Sequence, residues 1–372
     1  MKIVFDHNIF SLQQFGGISR YICELGKSLV TDSSKNVSVV APLYVNHYLK
    51  QVPKSLKVLG FPVRQIPRTG RIIRTINWVM AWPIIRYLKP DIVHETYYSA
   101  KRIAPKNAKV ILTVYDMIHE RFTNQFSKKF SVFDSTMKVK ATAVARADHI
   151  ICISKQTRQD LIELLGVSPN KITVVYLGFS LKSESVLLQK VHKPKRPFLL
   201  YVGVRDGYKN FIGLLQAFGT STILKSDFDL ICFGGGAFSS QEINLFHKLG
   251  VSSSIVHQVS GDDAALASHY KTASAFIYPS LYEGFGIPPL EAMSFNCPVV
   301  CSNVSSIPEV VGNAGLMFDP SDIESIRLTI EKVIGDIELQ ESLIARGQER
   351  LKMFSWEQCA KETLAVYHKV LV

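Results

Sequence analysis

At 372 residues, 47% hydrophobic and 20% charged, the chain has a globular composition and a length that suits two domains. No apolar stretch reaches the ~18 residues of a membrane-spanning helix, and the N-terminal MKIVFDHN predicts a strand rather than a signal peptide. Residues 1–192 hold 28 of the 43 Lys and Arg but 12 of the 31 Asp and Glu, which predicts an anionic partner for that half. The six cysteines form no C-x2-C pair, which disfavours zinc and suits a reducing cytoplasm.

The first half alternates predicted strands with predicted helices, as a parallel sheet requires. An apolar run at Lys2–His7 precedes the glycine loop Phe15–Tyr21 and a helical pattern. Gly16 and Gly17 let backbone N–H groups approach a phosphate, although the loop is neither a P-loop nor a G-x-G-x-x-G motif. The later strands are predicted at Val37–Leu43, Lys57–Phe61, Asp91–Glu95, Val110–Tyr115, His149–Ile153 and Ile172–Tyr176.

The stretch Arg64–Lys89 mixes cations and tryptophans with aliphatic residues, and two interpretations fit it equally. A basic amphipathic helix with Trp suits the surface of an anionic membrane. The alternative is a core helix with a solvated basic face. Pro83 is expected to end or kink the helix in either case. The cations are Arg64, Arg68, Arg71, Arg74, Arg86 and Lys89, and the tryptophans are Trp78 and Trp82.

A polar, Lys-rich segment at residues 180–197 predicts the interdomain linker, and the alternation restarts with a strand at Phe198–Val202. The loop Gly203–Asn210 (GVRDGYKN) then places two cations, Arg205 and Lys209, before a helix. A strand at Asp229–Phe233 ends in three glycines that begin at Gly234.

The stretch Tyr278–Ser302 (YPSLYEGFGIPPLEAMSFNCPVVCS) predicts a strand, a glycine loop, a helix and a strand. Pro288 and Pro289 suit the first turn of the helix, where a missing N–H costs nothing. Glu283 falls in the loop and Glu291 in the first helical turn. The loop is expected at the carboxyl edge of a parallel sheet, where open α/β sheets bind ligands.

With the intervening GFG and the Pro pair, Glu283–Glu291 resembles the E-x7-E signature of retaining GT-B glycosyltransferases of family 4 (group 1), which use nucleotide sugars. The resemblance covers nearly the whole chain. It implies two doubly wound parallel-sheet, Rossmann-like domains facing across a cleft. The N-terminal, acceptor-binding domain would be residues 1–185 and the C-terminal, donor-binding domain residues 186–354. A C-terminal helix within residues 355–372 would cross back onto the first domain.

The resemblance also implies roles for individual residues. The predicted donor-binding residues are Gly16, Gly17, Gly203, Lys209, Asn210, Gly234, Glu283, Gly284, Phe285, Gly286 and Glu291. The predicted catalytic residues are Glu283, Lys209, Arg205, Asp116 and His119. Two positions depart from the family pattern: Tyr115 replaces the usual His before Asp116, and Tyr208 replaces the usual Arg before Lys209. His119, one helical turn on, is a candidate substitute for the missing His.

The resemblance implies a retaining transfer of a hexose that needs no metal ion and no other cofactor, because fixed cations and helix N-termini can stabilise the leaving diphosphate. The first choice of donor is GDP-mannose, with UDP-sugars as the alternative. The acceptor is expected to be a glycan, or a glycan on a lipid diphosphate, at the inner face of the cytoplasmic membrane. A non-catalytic sugar-binding protein and an NAD-dependent oxidoreductase are the rival classes. No nucleic-acid partner is expected, since no nucleic-acid-binding module is recognisable.

Overall fold

The computed structural model describes residues 1–31, 36–65, 70–122, 130–179, 196–205 and 207–372. The strands are β1 Lys2–Phe5, β2 Asn36–Tyr44, β3 Lys57–Pro62, β4 Ile92–Glu95, β5 Lys109–Val114, β6 His149–Cys152, β7 Ile172–Val174, β8 Phe198–Val202, β9 Asp229–Phe233, β10 Val256–Val259, β11 Ala275–Tyr278, β12 Val299–Ser302 and β13 Gly315–Phe318. The helices are α1 Asn8–Leu12, α2 Gly17–Leu29, α3 Gly70–Leu88, α4 Ile118–Arg121, α5 Phe130–Arg146, α6 Lys155–Leu165, α7 Phe211–Thr220, α8 Thr222–Asp227, α9 Ser240–Lys248, α10 Asp263–Thr272, α11 Ile287–Ser294, α12 Ile307–Val311, α13 Ile323–Gly335, α14 Ile337–Leu351 and α15 Trp356–Leu371.

The chain forms two compact units, each with one parallel sheet. The first unit holds Met1–Gly178 and Ser355–Val372, and the second holds Phe179–Phe354. The predicted domain boundary at residues 185 and 186 lies outside the described residues, as do residues 66–69 of the basic stretch.

The strand order in both sheets reverses direction at one place. The first sheet runs β3-β2-β1-β4-β5-β6-β7 and the second β10-β9-β8-β11-β12-β13, with parallel pairing throughout the described strands. The order therefore reverses between β1 and β4 in the first sheet and between β8 and β11 in the second. We call these two places the first and second switch points. Loops diverge at the carboxyl edge of a switch point, which leaves a crevice for ligands.

Burial on both faces explains why the strands are apolar runs rather than alternating patterns. All four residues of β4 and of β11 are buried. In the second unit, Ile277 and Val300 of the sheet share one core with Phe218 of α7 and Ile330 of α13. Helices thus cover the sheet, as parallel sheets require.

Pro83 is expected to end or kink its helix. An end at Pro83 is wrong, because α3 continues through Pro83 to Leu88, and a kink there stays a prediction. Ala81 and Ile85 on either side are fully buried in the first core. Their burial offsets the hydrogen bond that an interior proline removes, which costs about 3 kcal/mol. Ser154 is the N-cap of α6, since its Oγ accepts the Thr157 N–H at 3.0 Å.

Helix α15 lies in the first unit and completes a buried polar network there. The Tyr367 hydroxyl on this helix lies 2.6 Å from Nδ1 of His94, and Thr113 Oγ1 lies 2.8 Å from Nε2. Both ring nitrogens of a fully buried histidine are therefore satisfied. Burial lowers the pKa of His94 to about 3, so its ring is neutral.

Candidate active site

The second switch point brings together two loops that the sequence separates by more than 70 residues. The loop after β8 and the loop after β11 are joined by the Leu281 N–H, which donates to the Tyr208 carbonyl at 2.7 Å. Lys209 Nζ then donates to Glu283 Oε1 at 2.7 Å. The predicted cation and the predicted loop carboxylate therefore share one site at the carboxyl edge of the sheet.

The Lys209–Glu283 pair is partly shielded from water. The side chains are 16% and 10% exposed, and the ammonium lies 5.3 Å from the Tyr208 ring centroid and 5.6 Å from that of Tyr278. Burial, and then the charge of Glu283 and its hydrogen bond, raise the pKa of Tyr278 well above its usual value. The phenol thus stays protonated beside the carboxylate. A shielded cation of this kind acts strongly on a nearby anion, because the local dielectric is low.

Two serines after β12 hold the Glu283 loop in place. Ser305 Oγ accepts the Glu283 N–H at 3.1 Å and lies 2.7 Å from the Glu283 carbonyl oxygen. Ser306 Oγ lies 2.9 Å from the carbonyl oxygens of both Glu283 and Phe285. The sequence alone did not indicate this function, because it depends on β12 lying beside β11.

Helix α11 presents its positive end at the same edge. Gly286 precedes it with φ 100° and ψ 66°, a left-handed conformation that favours glycine. In the described chain no side chain caps α11 and its first turn has no acidic residue, so its N-terminus suits an anion. Because α11 begins at Ile287, one residue before Pro288, Glu291 lies just beyond the first helical turn rather than within it. Its carboxylate accepts a hydrogen bond from the Tyr270 hydroxyl at 3.4 Å.

Arg205, predicted as a second diphosphate ligand, is engaged within the second unit. Its Nε donates to Glu242 at 2.7 Å, and its Nη atoms donate to the carbonyls of Gly234 (3.1 Å), Gly236 (2.9 Å) and Ala237 (2.9 Å). Four of the five guanidinium N–H groups are thereby used. These contacts favour a positioning role, in which Arg205 fixes the glycine turn after β9. Direct contact with a diphosphate stays a prediction.

The other predicted residues of the loop after β8 shape its backbone. Gly203 has φ 133°, and its N–H donates to the Phe233 carbonyl at 2.9 Å. Asn210 has φ 52° at the start of α7, and its side-chain amide donates to the Pro320 carbonyl at 2.8 Å. A Cβ at Gly213 would lie 2.6 Å from Asn210 Oδ1, so these two residues are packed together. Donor contacts from Gly203 and Asn210 stay predictions.

In the first unit, Gly16 and Gly17 lie where α2 begins. A Cβ on Gly16 would lie 2.4 Å from Gln13 Oε1, whereas a Cβ on Gly17 would meet nothing within 4 Å. In the described chain α2 has no side-chain cap and no acidic residue in its first turn. Its N-terminus therefore suits an anion, and the contact of Gly16 and Gly17 with a diphosphate stays a prediction.

Asp116 and His119 follow β5 in a charged cluster around Lys140. The Lys140 side chain is 1% exposed, and its Nζ donates to the Asp116 carbonyl at 2.9 Å and to Glu120 at 2.8 Å. Burial lowers the pKa of His119, while Asp116 opposes that shift. The Tyr115 hydroxyl donates to the buried Thr96 carbonyl at 2.9 Å, so the residue at the family's His position points its polar group into the protein.

Family models match most of the chain. Residues 15–183 match the model "Glycosyltransferase Family 4", and residues 186–350 match "Glycosyl transferases group 1". The chain belongs to the group 1 and family 4 glycosyltransferases.

Curated relatives of this glycosyltransferase include enzymes named for O-antigen synthesis. It is 35% identical over 229 residues to the O-antigen chain mannosyltransferase B of Escherichia coli, a match that covers 59% of this chain and 60% of that protein. It is 27% identical to the O-antigen chain mannosyltransferase RfbU of Salmonella typhimurium, over 69% of this chain and 68% of that protein. The match thus spans less than two thirds of the first relative's length.

Solved structures confirm the fold. The sucrose-phosphate synthase of Thermosynechococcus elongatus superposes with a TM-score of 0.78 at 19% identity, over 99% of this chain and 98% of that one. An identity this low concerns the fold alone. Together with the two parallel sheets it confirms the predicted GT-B class.

Proposed function

We propose that this glycosyltransferase transfers a hexose, in the first instance mannose from GDP-mannose, to a growing lipid-linked cell-surface glycan. The observation that carries the proposal is the Lys209–Glu283 pair beside the N-terminus of α11 at the second switch point. The names of the two mannosyltransferase relatives support the choice of sugar. A UDP-sugar donor is the alternative, since the described contacts do not select a base.

The chemistry follows from where charge develops. When the bond between the sugar and the diphosphate breaks, negative charge grows on the leaving phosphate and positive charge on the sugar ring. Lys209 and the α11 N-terminus would stabilise the diphosphate, Glu283 would accept sugar hydroxyls, and Glu291 would accept ribose hydroxyls. We propose retention of configuration, with the acceptor proton passing to a donor phosphate oxygen as the new glycosidic bond forms on the same face.

We also propose that transfer needs no metal ion. Lys209 and the helix N-terminus are fixed before the donor arrives, so they need little reorganisation as charge develops. Transfer that continues at full rate in EDTA would support this proposal. Restoration of a lost rate by Mg²⁺ or Mn²⁺ would contradict it.

A nucleotide panel tests the proposed donor. GDP should raise the melting temperature more than UDP, ADP or NAD, because only a ligand of the folded state stabilises it. A larger shift with UDP would favour the alternative donor, and a shift with NAD alone would favour the oxidoreductase. Sugar transfer from GDP-[14C]mannose to a membrane extract separates an enzyme from a non-catalytic binding protein.

Helix α3 supports contact with an anionic membrane. One of its faces is apolar and exposed, and includes Ile72 (61% exposed), Ile76 and Val79 (58%), while Arg74 and Arg86 are also exposed. Within the described residues, no helix has both the length and the apolar character needed to cross a bilayer. We propose that this face lies on the membrane surface, at the inner face of the cytoplasmic membrane.

Vesicle flotation tests the membrane proposal. The paired change Ile72→Ser and Val79→Ser should release the protein from vesicles with 30% anionic lipid, because burial of these side chains is lost. The matched control is Leu328→Ser, a change of an exposed apolar residue in the second unit. Unchanged flotation of the paired variant would favour the core-helix interpretation.

A further inference from the structure

A second candidate binding site lies at the first switch point. A pocket of about 470 Å³ opens there between the loop after β1, the loop after β4 and helices α3 and α5. The lining residues that matter for its chemistry are His7, Arg74, Trp78, Tyr97, Tyr98 and Lys101. Its volume lies within the range of about 300–1,000 Å³ that is typical of small-molecule sites.

Two polar atoms of the lining residues lack a hydrogen-bond partner within the described chain, Nδ1 of His7 and Nε1 of Trp78. His7 is only 2% exposed. Burial lowers the pKa of His7, and the nearby Asp6 opposes that shift. Buried polar groups are nearly always paired in folded proteins, so an orphaned atom on each of two residues that line one pocket favours a ligand that can pair with them. Hydroxyl groups suit both atoms, because they donate and accept.

The walls combine aromatic rings with positive charge. Trp78, Tyr97 and Tyr98 contribute aromatic rings to the lining. Lys101 Nζ lies 4.9 Å from the Trp78 ring centroid, and Arg74 is exposed on the same helix as Trp78. Among the described lining residues there is no carboxylate. The charge therefore favours a ligand that carries an anionic group.

Buried ion and hydrogen-bond networks hold the two loops below the pocket. The Asp6 carboxylate after β1 accepts the Thr96 N–H at 3.0 Å and the Thr96 hydroxyl at 2.5 Å. Arg146 pairs with both oxygens of Glu95, at 2.5 and 2.7 Å, and donates to the Ser99 carbonyl at 2.5 Å. These carboxylates are fully buried, so they fix the pocket without adding negative charge to its surface.

We propose that this pocket binds the acceptor as a saccharide joined to phosphate. The ring stacks on Trp78 and Tyr97, its hydroxyls pair with His7 Nδ1 and the indole N–H, and the phosphate lies at Arg74 and Lys101. The description of this ligand as an acceptor rests on the proposed function. The phosphate belongs to a lipid-linked saccharide or to a free sugar phosphate, and the lipid form is compatible with the exposed apolar face of α3.

Binding without any nucleotide tests the pocket directly. The probes are the 1-phosphates of mannose, glucose, galactose and N-acetylglucosamine, with the matching methyl glycosides, measured by calorimetry. At least one sugar phosphate should bind tenfold more tightly than its methyl glycoside. The double variant Arg74→Gln and Lys101→Gln should abolish that preference while the methyl glycoside binds as before. Trp78→Phe, which keeps a ring but removes the N–H, should weaken both probes severalfold.

Two results would overturn the inference: none of the four sugar phosphates binds, or binding survives both the double Gln variant and Trp78→Phe.

A farnesyl-diphosphate-linked sugar distinguishes a lipid-linked saccharide from a free sugar phosphate as the ligand. Tighter binding than the sugar phosphate, reduced by Ile76→Ser, assigns the lipid-linked form, and equal binding assigns the free sugar phosphate. GDP and UDP thermal shifts on the same variants separate the two proposals. Sugar-phosphate binding with no change in melting temperature on adding GDP or UDP would refute the proposed function alone. A change in melting temperature with a nucleotide but no sugar-phosphate binding would refute the pocket alone.

Discussion

The two switch points have the same topology but differ in how their cations are paired. At the second, Lys209 and Glu283 form a 2.7 Å ion pair, and Arg205 donates a hydrogen bond to Glu242. At the first, Arg74 and Lys101 line a pocket and form no ion pair within the described residues, while the nearby carboxylates are buried beneath it. Strand order thus determines where a ligand can bind, and the loop side chains determine which charge it meets.

The largest expected effect is on stability and concerns Arg205. It tests whether this cation is structural, in contrast to the exposed Arg74 of the first switch point. Arg205→Met should lower the free energy of unfolding by about 3–5 kcal/mol, because it leaves the buried Glu242 carboxylate without its cation, with the Ser239 N–H as a remaining hydrogen-bond donor. Urea denaturation measures this loss, and Arg205→Lys is the matched control that keeps the charge. Wild-type stability, together with a selective loss of GDP over guanosine binding, would show instead that Arg205 contacts the diphosphate.

Next in size is the effect of removing the cation of the second switch point. Lys209→Met should slow sugar transfer about 10²–10³-fold, because one fixed donor to the leaving diphosphate is lost. Initial rates with GDP-mannose provide the measurement, and Lys209→Arg should retain part of the activity. An unchanged rate in Lys209→Met would remove Lys209 from the proposed mechanism.

The first unit should also be sensitive to acid through His94. The pKa of His94 is about 3 in the folded protein against an ordinary 6.5, so between these values the unfolded chain binds the extra proton. Stability should therefore be complete above about pH 6.5 and fall by about 1.4 kcal/mol per pH unit as the pH drops toward 3. Urea midpoints at pH 7, 6, 5 and 4 measure it. His94→Gln should show a flatter pH dependence, and an equal slope in both proteins would refute the assignment.

The smallest effect is expected at Glu291. Glu291→Gln should weaken GDP binding about tenfold, since charged hydrogen bonds to ribose hydroxyls contribute about 1.5–3 kcal/mol each and the amide keeps part of that. Isothermal calorimetry provides the affinity. Tyr270→Phe, which removes only the neighbouring hydroxyl, is the control for altered packing. GDP affinity that is unchanged in Glu291→Gln would exclude the ribose contact.

Local patterns predicted much of the architecture. The apolar runs correctly predicted strands, and the Pro pair before Glu291 correctly predicted a helix start, because both features depend on neighbouring residues. The predicted end of the helix at Pro83 was wrong because burial of Ala81 and Ile85 outweighs a local preference. The roles of Ser305, Glu242 and Lys140 were not predicted, since each acts on a residue from a distant loop.

The sequence by itself determined the class of this protein. The evidence was the alternation of strands and helices in both halves, the glycine loops at strand ends and the Glu283–Glu291 spacing, and each of these is read from residues close together in the chain. Only the tertiary structure decided which charges meet. It paired Lys209 with Glu283 and turned Arg205 onto the glycine turn after β9. Within the described residues, it left His7 Nδ1 and Trp78 Nε1 without a hydrogen-bond partner. Electrostatic contacts depend on distances across the sheet, and strand order sets those distances.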